Sequence, residues 1–403
     1  MKIRREILLI AGLIVILICV IASAKIKENR KKIVADEKTK VYIALGKGKD
    51  DLLSDDEIKN IIKNRYGLDV TYDNWKNSNL VKNSLVRKDG TGYDAMFTSD
   101  ERYYEYYKQS ANETKGETQR NTIYKGGKTL NTPIVIYTWD TMIGTLLNEK
   151  IITEHSGVYY ITDMNKLLSY ITEEKKWSDI GLEGNDSKIT VETKDPLNYL
   201  LGEKYYELLL CTMCGGNVTD ENIDQTLPNL KELYQKTKHN TSTANLFKSF
   251  VQSGSSKKAM IADYEKSIIQ YAYQNPESFE KIKDKIKILY PTPTIWTSHC
   301  IATFTENGNK FYDALTDKDV EQIAWNKYGF RSATTGISYD VSQLGITGIP
   351  QTIDSTVFTM GMDAYEKMIN YIKEDGKDYA YIKGDLKTYG IVYYGGLWSP
   401  DSI

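Results

Sequence analysis

Short apolar runs alternate with amphipathic stretches along most of the chain. Residues 41–45 (VYIAL) form an uninterrupted apolar run that is typical of a buried strand, and the stretch after the next turn carries Ile58 and Ile62 on one helical face. Residues 93–97 and 259–262 are further strand-like runs, each followed by a turn and a helical pattern. These repeated units of strand, turn and helix predict an α/β fold.

Two extended segments are marked by proline. Residues 286–304 (IKILYPTPTIWTSHCIATF) contain one apolar run, then Pro291 and Pro293, where a sheet loses its backbone donors, and then a second apolar run. Residues 132–137 (TPIVIY) show a proline followed by three β-branched residues. Two such segments far apart in the chain predict two lobes, with one crossing outward, one crossing back and a cleft between them.

These crossings divide the chain. We expect the first lobe to comprise residues 38–133 and 290–345, and the second lobe to comprise residues 134–289. Residues 346–403 are expected to form a C-terminal extension that packs on the first lobe. A chain of 403 residues exceeds a usual single core, which agrees with two lobes of ordinary size.

The N-terminal residues 1–37 carry a targeting signal. Basic residues stand on both sides of an uncharged run, residues 7–24, which is nearly long enough to cross a membrane. Ala22-Ser23-Ala24 also has the form that a signal peptidase cuts. The sequence therefore predicts an extracytoplasmic protein and leaves open whether this segment is a cleaved signal peptide or a retained membrane anchor.

Composition narrows the class of protein. A net charge of −2 argues against a nucleic-acid partner, which would favour a basic excess. Tyrosine is abundant, with 31 copies against 8 of phenylalanine, either as general aromatic packing or as part of the lining of a polar cleft. The sequence contains neither a GxSxG nor an HExxH motif, so we expect a protein that is not an enzyme.

Cysteine and histidine give little sign of a cofactor. Cys211 and Cys214 have CxxC spacing inside an apolar helical run, which is compatible with a redox pair, half a metal site or two buried thiols. The three histidines are widely separated, so a histidine-based zinc site is not expected. We expect no cofactor and no metal.

The return crossing and the segment after it resemble a known family. A strand ending in YP at Tyr290-Pro291, a following helix and the run WNKYGFRS at residues 325–332 are similar to the extracellular solute-binding proteins of ABC transporters, of the two-lobed type II periplasmic-binding-protein fold. The resemblance extends in pieces over residues 40–345. The part after YGFR looks like solute-binding domains that stand beside von Willebrand A domains. The resemblance implies lobes with mostly parallel sheets flanked by helices and joined by two hinge crossings.

The candidate binding residues lie on turns that follow predicted strands. The turn at Gly48 follows the first strand, where open α/β sheets place ligands, and Thr98-Ser99-Asp100 caps the helix after the third strand. The resemblance implies that further turns of the second lobe face the cleft, and Trp139 is expected at its mouth. The residues expected to contact a solute are Gly48, Thr98, Ser99, Trp139, Thr193, Asp195, Tyr264 and Glu265.

Charged side chains near these turns affect which charge the solute can carry. Asp263 and Glu265 favour a cationic or zwitterionic solute unless Lys47, Lys49 or Lys194 offsets them. An arginine beside a cleft, Arg331, either pairs with a carboxylate of the solute or holds a lobe together.

Two functions follow from this sequence. The first is an extracytoplasmic solute-binding protein that closes on a small polar ligand by hinge motion, with an ABC permease as its partner. The second is a membrane-anchored extracellular sensor or assembly module, which keeps the fold without a transport role and has a von Willebrand A domain protein as a partner. The chemical identity of the solute does not follow from the fold.

Overall fold

The computed structural model describes residues 39–82, 85–113, 122–333 and 341–373 of the chain. The strands are β1 (Thr39–Gly46), β2 (Leu68–Trp75), β3 (Ala95–Phe97), β4 (Lys125–Trp139), β5 (Ile152–His155), β6 (Val158–Ile161), β7 (Thr193–Lys194), β8 (His239–Asn240), β9 (Met260–Tyr264), β10 (Ile286–Pro291), β11 (Thr294–Thr303), β12 (Arg331–Ser332) and β13 (Thr356–Val357).

Helices cover the faces of these strands. They are α1 (Asp50–Ser54), α2 (Asp56–Tyr66), α3 (Asn77–Lys82), α4 (Glu101–Glu113), α5 (Asp140–Asn148), α6 (Met164–Thr172), α7 (Leu200–Met213), α8 (Asp220–Lys236), α9 (Leu246–Ser253), α10 (Lys266–Gln274), α11 (Pro276–Glu280), α12 (Glu306–Leu315), α13 (Lys318–Tyr328) and α14 (Met362–Lys373).

The first lobe is built on β1, with β2 and β3 parallel to it on either side. The local sequence explains its first long helix, α2. The Asp55 side chain accepts from the backbone N–H groups of Glu57 and Ile58, and Gly67 ends the helix with a φ of 69°. Ile58 and Ile62 face the sheet and are buried. This first strand–turn–helix unit was predicted from the sequence and is confirmed.

The second lobe has its own sheet and core. The second half of β4 pairs antiparallel with both β9 and β10, and β10 continues in parallel to β6. Its core contains large buried side chains, including Trp177, Tyr205 and Phe247, and is distinct from the two apolar clusters that cover the faces of the first-lobe sheet.

Two segments join the lobes. The first half of β4 pairs with β11 in the first lobe, and its second half belongs to the second lobe, so the chain crosses near Thr132 and Pro133. The return crossing runs from β10 into β11 through Pro291 and Pro293. The predicted two-lobed α/β fold with two hinge crossings is therefore confirmed. The exact lobe boundaries remain predictions.

The described part of the C-terminal extension packs mainly on the second lobe, whereas the sequence placed it on the first. Helix α14 lies along α8, and its apolar side chains Met368 and Ile372 enter the second-lobe core. Lys367 also pairs with Asp224 of α8 at 2.6 Å. The amphipathic helix follows the apolar surface available to it, and the sequence pattern does not reveal which lobe supplies that surface.

The N-terminal signal or anchor predicted for residues 1–37 lies outside the described residues. Within the described ranges, none of the helices combines the length and the apolar character that a membrane span requires.

Candidate functional site

Turns of the first lobe meet at one edge of its sheet. Because β1 and β3 are parallel neighbours, the turns that follow them lie side by side. The Ser99 hydroxyl donates to the carbonyl oxygen of Lys47 at 2.7 Å, and the Lys49 ammonium donates to the Ser99 hydroxyl at 2.7 Å and to the Thr98 carbonyl at 3.3 Å. One lysine thus ties the two turns together.

Lys49 is unusual for a turn lysine because its side chain is fully buried. Its ammonium lies 4.7 Å from the centre of the Phe97 ring. Burial lowers the pKa of Lys49 well below its usual range, and the positive charge of Lys266 in the second lobe acts in the same direction while Asp50 opposes it. An additional negative charge at this position would stabilise the ammonium.

His299, on β11, shares the Phe97 ring with Lys49 and the Phe330 ring with Lys266. Its ring packs edge-on against Phe97 at 6.4 Å and Phe330 at 5.0 Å. Burial and the neighbouring charges of Lys49 and Lys266 lower the pKa of His299 well below its usual range, so the imidazole is neutral. Its Nδ1 atom is buried and has no hydrogen-bond partner among the described residues.

The second lobe contributes Lys266 at the start of α10. Its ammonium lies 4.5 Å from the centre of the Phe330 ring, and burial lowers its pKa while the charges of Asp263 and Asp51 oppose that shift. Asp263 is buried beside it, and burial raises the pKa of this carboxyl to about 6. We call Lys49, His299 and Lys266 the lysine side of the interlobe region.

A different arrangement holds the lobes together beside α7. Arg102 of the first lobe contacts Asp100 at 2.7 Å and Glu207 of the second lobe at 3.3 Å. Lys204, also of the second lobe, contacts Glu207 at 3.0 Å and Asp100 at 3.4 Å. These four buried side chains contain two cations and two anions. We call them the ion quartet.

The C-terminal extension covers the ion quartet. The backbone N–H of Met360 donates to Glu207 at 2.5 Å, and the Lys204 ammonium donates to the Thr359 hydroxyl at 3.0 Å. The Tyr365 ring lies over the Arg102 guanidinium at 3.8 Å. Although burial opposes ionisation, Arg102 and Lys204 hold the pKa of Asp100 well below its usual range, so this carboxylate stays charged.

Glu265 and Arg331 form a second ionic link. The guanidinium holds both carboxylate oxygens, at 2.7 and 2.8 Å, and the Tyr290 hydroxyl donates to the same carboxylate at 2.7 Å. Arg331 also donates to the carbonyl oxygen of Pro350 at 2.8 Å. Two roles were considered for Arg331, pairing with a solute carboxylate and holding the protein together. The structure shows Arg331 in the second role.

The structure brings together some of the predicted site residues. Thr98 and Ser99 lie beside Lys49, whereas Gly48 is exposed and has a φ of 89°. Tyr264 is half-buried at the hinge end of β9, next to Ile134 of β4.

Other predicted residues have their polar atoms engaged within the protein. The Glu265 carboxylate is bound by Arg331. The Thr193 hydroxyl donates to the Ala262 carbonyl at 3.2 Å. Asp195 accepts from the backbone N–H of Leu197 at 3.0 Å and from the Asn198 side chain at 2.7 Å.

Trp139 lies apart from the others. It stands five residues beyond Ile134 along β4, or about 17 Å at the usual strand rise. Its indole N–H donates to the Lys258 carbonyl at 2.8 Å, and its ring packs on Phe250 at 4.7 Å. The structure therefore places Trp139 in the core at the far end of the second lobe, because β4 continues for most of that lobe before it ends.

Much of the interlobe chemistry does not follow from the sequence. There Lys49 is only a possible charge offset, and no pattern singles out His299 or Lys266. A usable signal existed for the ion quartet, because Lys204 and Glu207 stand three residues apart inside the apolar run LLGEKYYELLL. Charged residues within a buried helical run indicate partners in space.

The structure describes no metal centre, since no three histidine, cysteine, aspartate or glutamate side chains of the described residues gather in a geometry that could hold a metal. The CxxC cysteines are free thiols. Cys211 is buried, and burial raises its pKa far above the usual range.

Comparison with known proteins identifies the fold. No family model and no curated protein matches the sequence. Among solved structures, apo ferric ion-binding protein A of Pasteurella haemolytica is similar with a TM-score of 0.54 and 11% identity, over 83% of this chain and 96% of that one. An ABC transporter structure from Clostridium perfringens is similar with a TM-score of 0.52 and 11% identity, over 83% and 98%.

These similarities confirm the resemblance noted in the sequence at the level of the fold. Apo FutA2 of Synechocystis adds a third case, with a TM-score of 0.51, 8% identity and coverage of 83% and 98%. The chain therefore has the two-lobed fold of the solute-binding proteins of ABC transporters. Identities this low carry no information about the ligand.

Proposed function

We propose that the protein captures a small polar solute between its two lobes and delivers it to an ABC permease outside the cytoplasm. The observation that carries this proposal is the lysine side, where the His299 ring packs against two aromatic rings. One of them, Phe97, contacts Lys49 of the first lobe, and the other, Phe330, contacts Lys266 of the second lobe. Each is buried or partly buried, and the Nδ1 atom of His299 lacks a protein partner among the described residues. Groups arranged in this way can desolvate and hold a polar ligand.

The charges favour a solute that carries at least one anionic group. An ammonium group from each lobe lies against an aromatic ring that contacts His299, and Glu265 is neutralised by its contact with Arg331. Asp263, Asp50 and Asp51 are nearby acids, so a zwitterion is also compatible with the site. A solute that carries only positive charge is disfavoured, which narrows the expectation drawn from the sequence.

Closure would follow from rotation about the two crossings, since β4 and the β10–β11 segment are the long strands that link the lobes. Tyr264, Thr98 and Ser99 lie near this hinge and are proposed to contact the solute. The absence of enzymatic activity and the partner permease remain expectations.

The test is a thermal-shift screen of the purified protein against oxyanions, carboxylates, amino acids, sugars and metal chelates. A ligand at about 100 times its dissociation constant should stabilise the protein by about 2.7 kcal/mol. Lys266→Met should abolish the shift, and Lys47→Met, which changes an exposed lysine of the neighbouring turn, should preserve it. A hit that both variants bind equally well would contradict the proposed site.

The ion quartet favours a second function, the sensor or assembly module. Protein side chains, rather than a solute, join the lobes beside α7. If this contact holds the lobes closed permanently, small-angle scattering will give the same radius of gyration with and without every screened solute. Solute-dependent compaction would instead support transport.

A further inference from the structure

A second candidate site lies in the second lobe, away from the hinge. A cavity of about 250 Å³ opens where the chain enters β9, with Ala259 and Met260 in its wall. The other end of β9, at Tyr264, lies beside Ile134 near the crossing. Four residue steps of strand separate the two ends, which is about 13 Å. The cavity is therefore distinct from the interlobe region.

The cavity has an apolar base and a polar rim. Ile171, Ile189 and Met260 line it and belong to the second-lobe core. The rim is supplied by the end of α6, the segment before β7, the link between α8 and β8, and the turn after α9. The polar and charged lining residues are mostly lysines and serines, among them Lys238, Ser255, Ser256 and Lys257.

Positive charge dominates this lining, with five lysines against two glutamates. Both glutamates are already engaged by lysines of the cavity: Glu174 pairs with Lys188, and Glu192 pairs with Lys258. Glu192 also accepts a hydrogen bond from Asn240 at 3.3 Å. The acids of the cavity are therefore unavailable to the remaining lysines.

Three lysines remain. The Lys236 ammonium donates to the Thr172 carbonyl at 2.6 Å and pairs with Glu232 at 2.8 Å. Lys238 and Lys257 are exposed and have no carboxylate partner within 4 Å among the described residues. Like charges collected around a concave surface repel one another and concentrate a positive potential there. The cavity thus has positive charge that its own acids do not neutralise and that an anion could.

We propose that this cavity binds a phosphate group, either free or as part of a small phosphate ester. Lys238 and Lys257 supply compact charges of the kind that bind phosphate as point charges. The hydroxyls of Ser255 and Ser256 stand on the same turn as Lys257 and can donate to the phosphate oxygens. The apolar base would contact the organic part of an ester.

The test is isothermal titration of the full chain with inorganic phosphate and, separately, with glycerol phosphate, at constant ionic strength set by chloride. The cavity variant is Lys238→Gln with Lys257→Gln. The matched control is Lys248→Gln with Lys281→Gln, which removes the same charge from exposed positions of the second lobe outside the cavity.

We expect the cavity variant to weaken phosphate binding by about tenfold or more, equivalent to about 1.4 kcal/mol, and the control to leave it unchanged. Tighter binding of glycerol phosphate than of inorganic phosphate would identify an ester as the ligand, and equal binding would identify the free anion. Equal loss in both variants would overturn the proposal, because it would show general charge attraction. Binding that no variant weakens, or no binding at all, would also overturn it.

A second readout separates this site from the interlobe region. Phosphate should shift the backbone amide resonances of Ser255 and Ser256, and Lys266→Met should leave those shifts intact. If Lys266→Met removed them, phosphate would be binding between the lobes instead. Matching thermal unfolding of the cavity and control variants would confirm that both proteins are folded.

Discussion

The two halves of the interlobe contact, the ion quartet and the lysine side, accommodate buried charged groups in different ways. In the ion quartet two cations meet two anions, and backbone and tyrosine groups of the C-terminal extension close the set. On the lysine side, two ammonium groups contact the two rings that flank a neutral imidazole, and burial lowers the pKa of each of the three groups. The first arrangement is a set of direct ion pairs. In the second, the charges of Asp50, Asp51 and Asp263 act on the lysines, but among the described residues neither ammonium has a carboxylate within 4 Å.

This difference distinguishes a cluster that stabilises the structure from one that is proposed to bind a ligand. A balanced buried cluster gains most from staying intact, because removing one member leaves another charge buried without a partner. An unbalanced cluster gains from a ligand, because the ligand supplies what the protein lacks. The quartet therefore identifies the side that joins the lobes, and the lysine side identifies where a solute is proposed to bind.

The largest expected effect comes from breaking the quartet. Arg102→Met should lower the free energy of unfolding by about 3–5 kcal/mol, because it leaves the carboxylates of Asp100 and Glu207 to share one lysine. Denaturant unfolding monitored by circular dichroism measures this loss. Lys108→Met, an exposed substitution on the same helix, is the control. Equal midpoints for the two variants would show that the quartet contributes nothing to stability.

The next effect concerns the link between Glu265 and Arg331. Glu265→Gln should lower the free energy of unfolding by about 2 kcal/mol, because the amide cannot accept at both positions from a buried guanidinium. The same unfolding experiment measures it, with exposed Glu277→Gln as the control. If solute affinity fell while stability stayed unchanged, Glu265 would be a binding residue, as the sequence predicted.

A smaller effect is expected at Gly329, which ends α13 with a φ of 69°. A Cβ atom there would lie 2.6 Å from the Cα of Lys266. Gly329→Ala should therefore cost about 1–2 kcal/mol, through backbone strain and this clash. It should also displace Lys266 and weaken solute binding, which Arg102→Met would not do directly. Gly181→Ala, at another positive φ but with open space around it, controls for strain alone.

The smallest effect is a pH dependence at Glu203, near the quartet. Burial raises the pKa of Glu203 to about 7 in the folded protein, above the value of about 4.3 expected in the unfolded chain. Its contribution to stability is therefore full below pH 4.3 and is lost as the pH rises through 7. Glu203→Gln should flatten the decline in unfolding midpoint between pH 5 and pH 8.

Comparing wild type with Glu203→Gln isolates the pH dependence of stability that Glu203 contributes. The lowered pKa of His299 acts in the opposite direction, because a neutral histidine gains stability as the pH rises through its unfolded value. Asp263, with a raised pKa of about 6, acts in the same direction as Glu203 but is unchanged by the substitution. Parallel pH profiles for the two proteins would refute the assignment.

How much the sequence could predict depends on the range of the interaction. Apolar runs and caps are local, so the βα unit that leads from β1 to α2 and the proline-marked crossings could be predicted from it. The pairing of Arg102 with Glu207 spans 105 positions and has no local pattern. Trp139 shows the same limit, because the sequence indicates that β4 leaves the hinge but not how far it runs.

The route of the chain through the first lobe has a consequence for biosynthesis. Strand β11 fills the centre of the first-lobe sheet, between β3 and β4, yet it is made only after the whole of the second lobe. During synthesis most of the second lobe can assemble from one continuous segment. Over this time β3 and the first half of β4 lack their partner strand, β11. The first-lobe sheet is therefore expected to close late in folding, after β11 has been made.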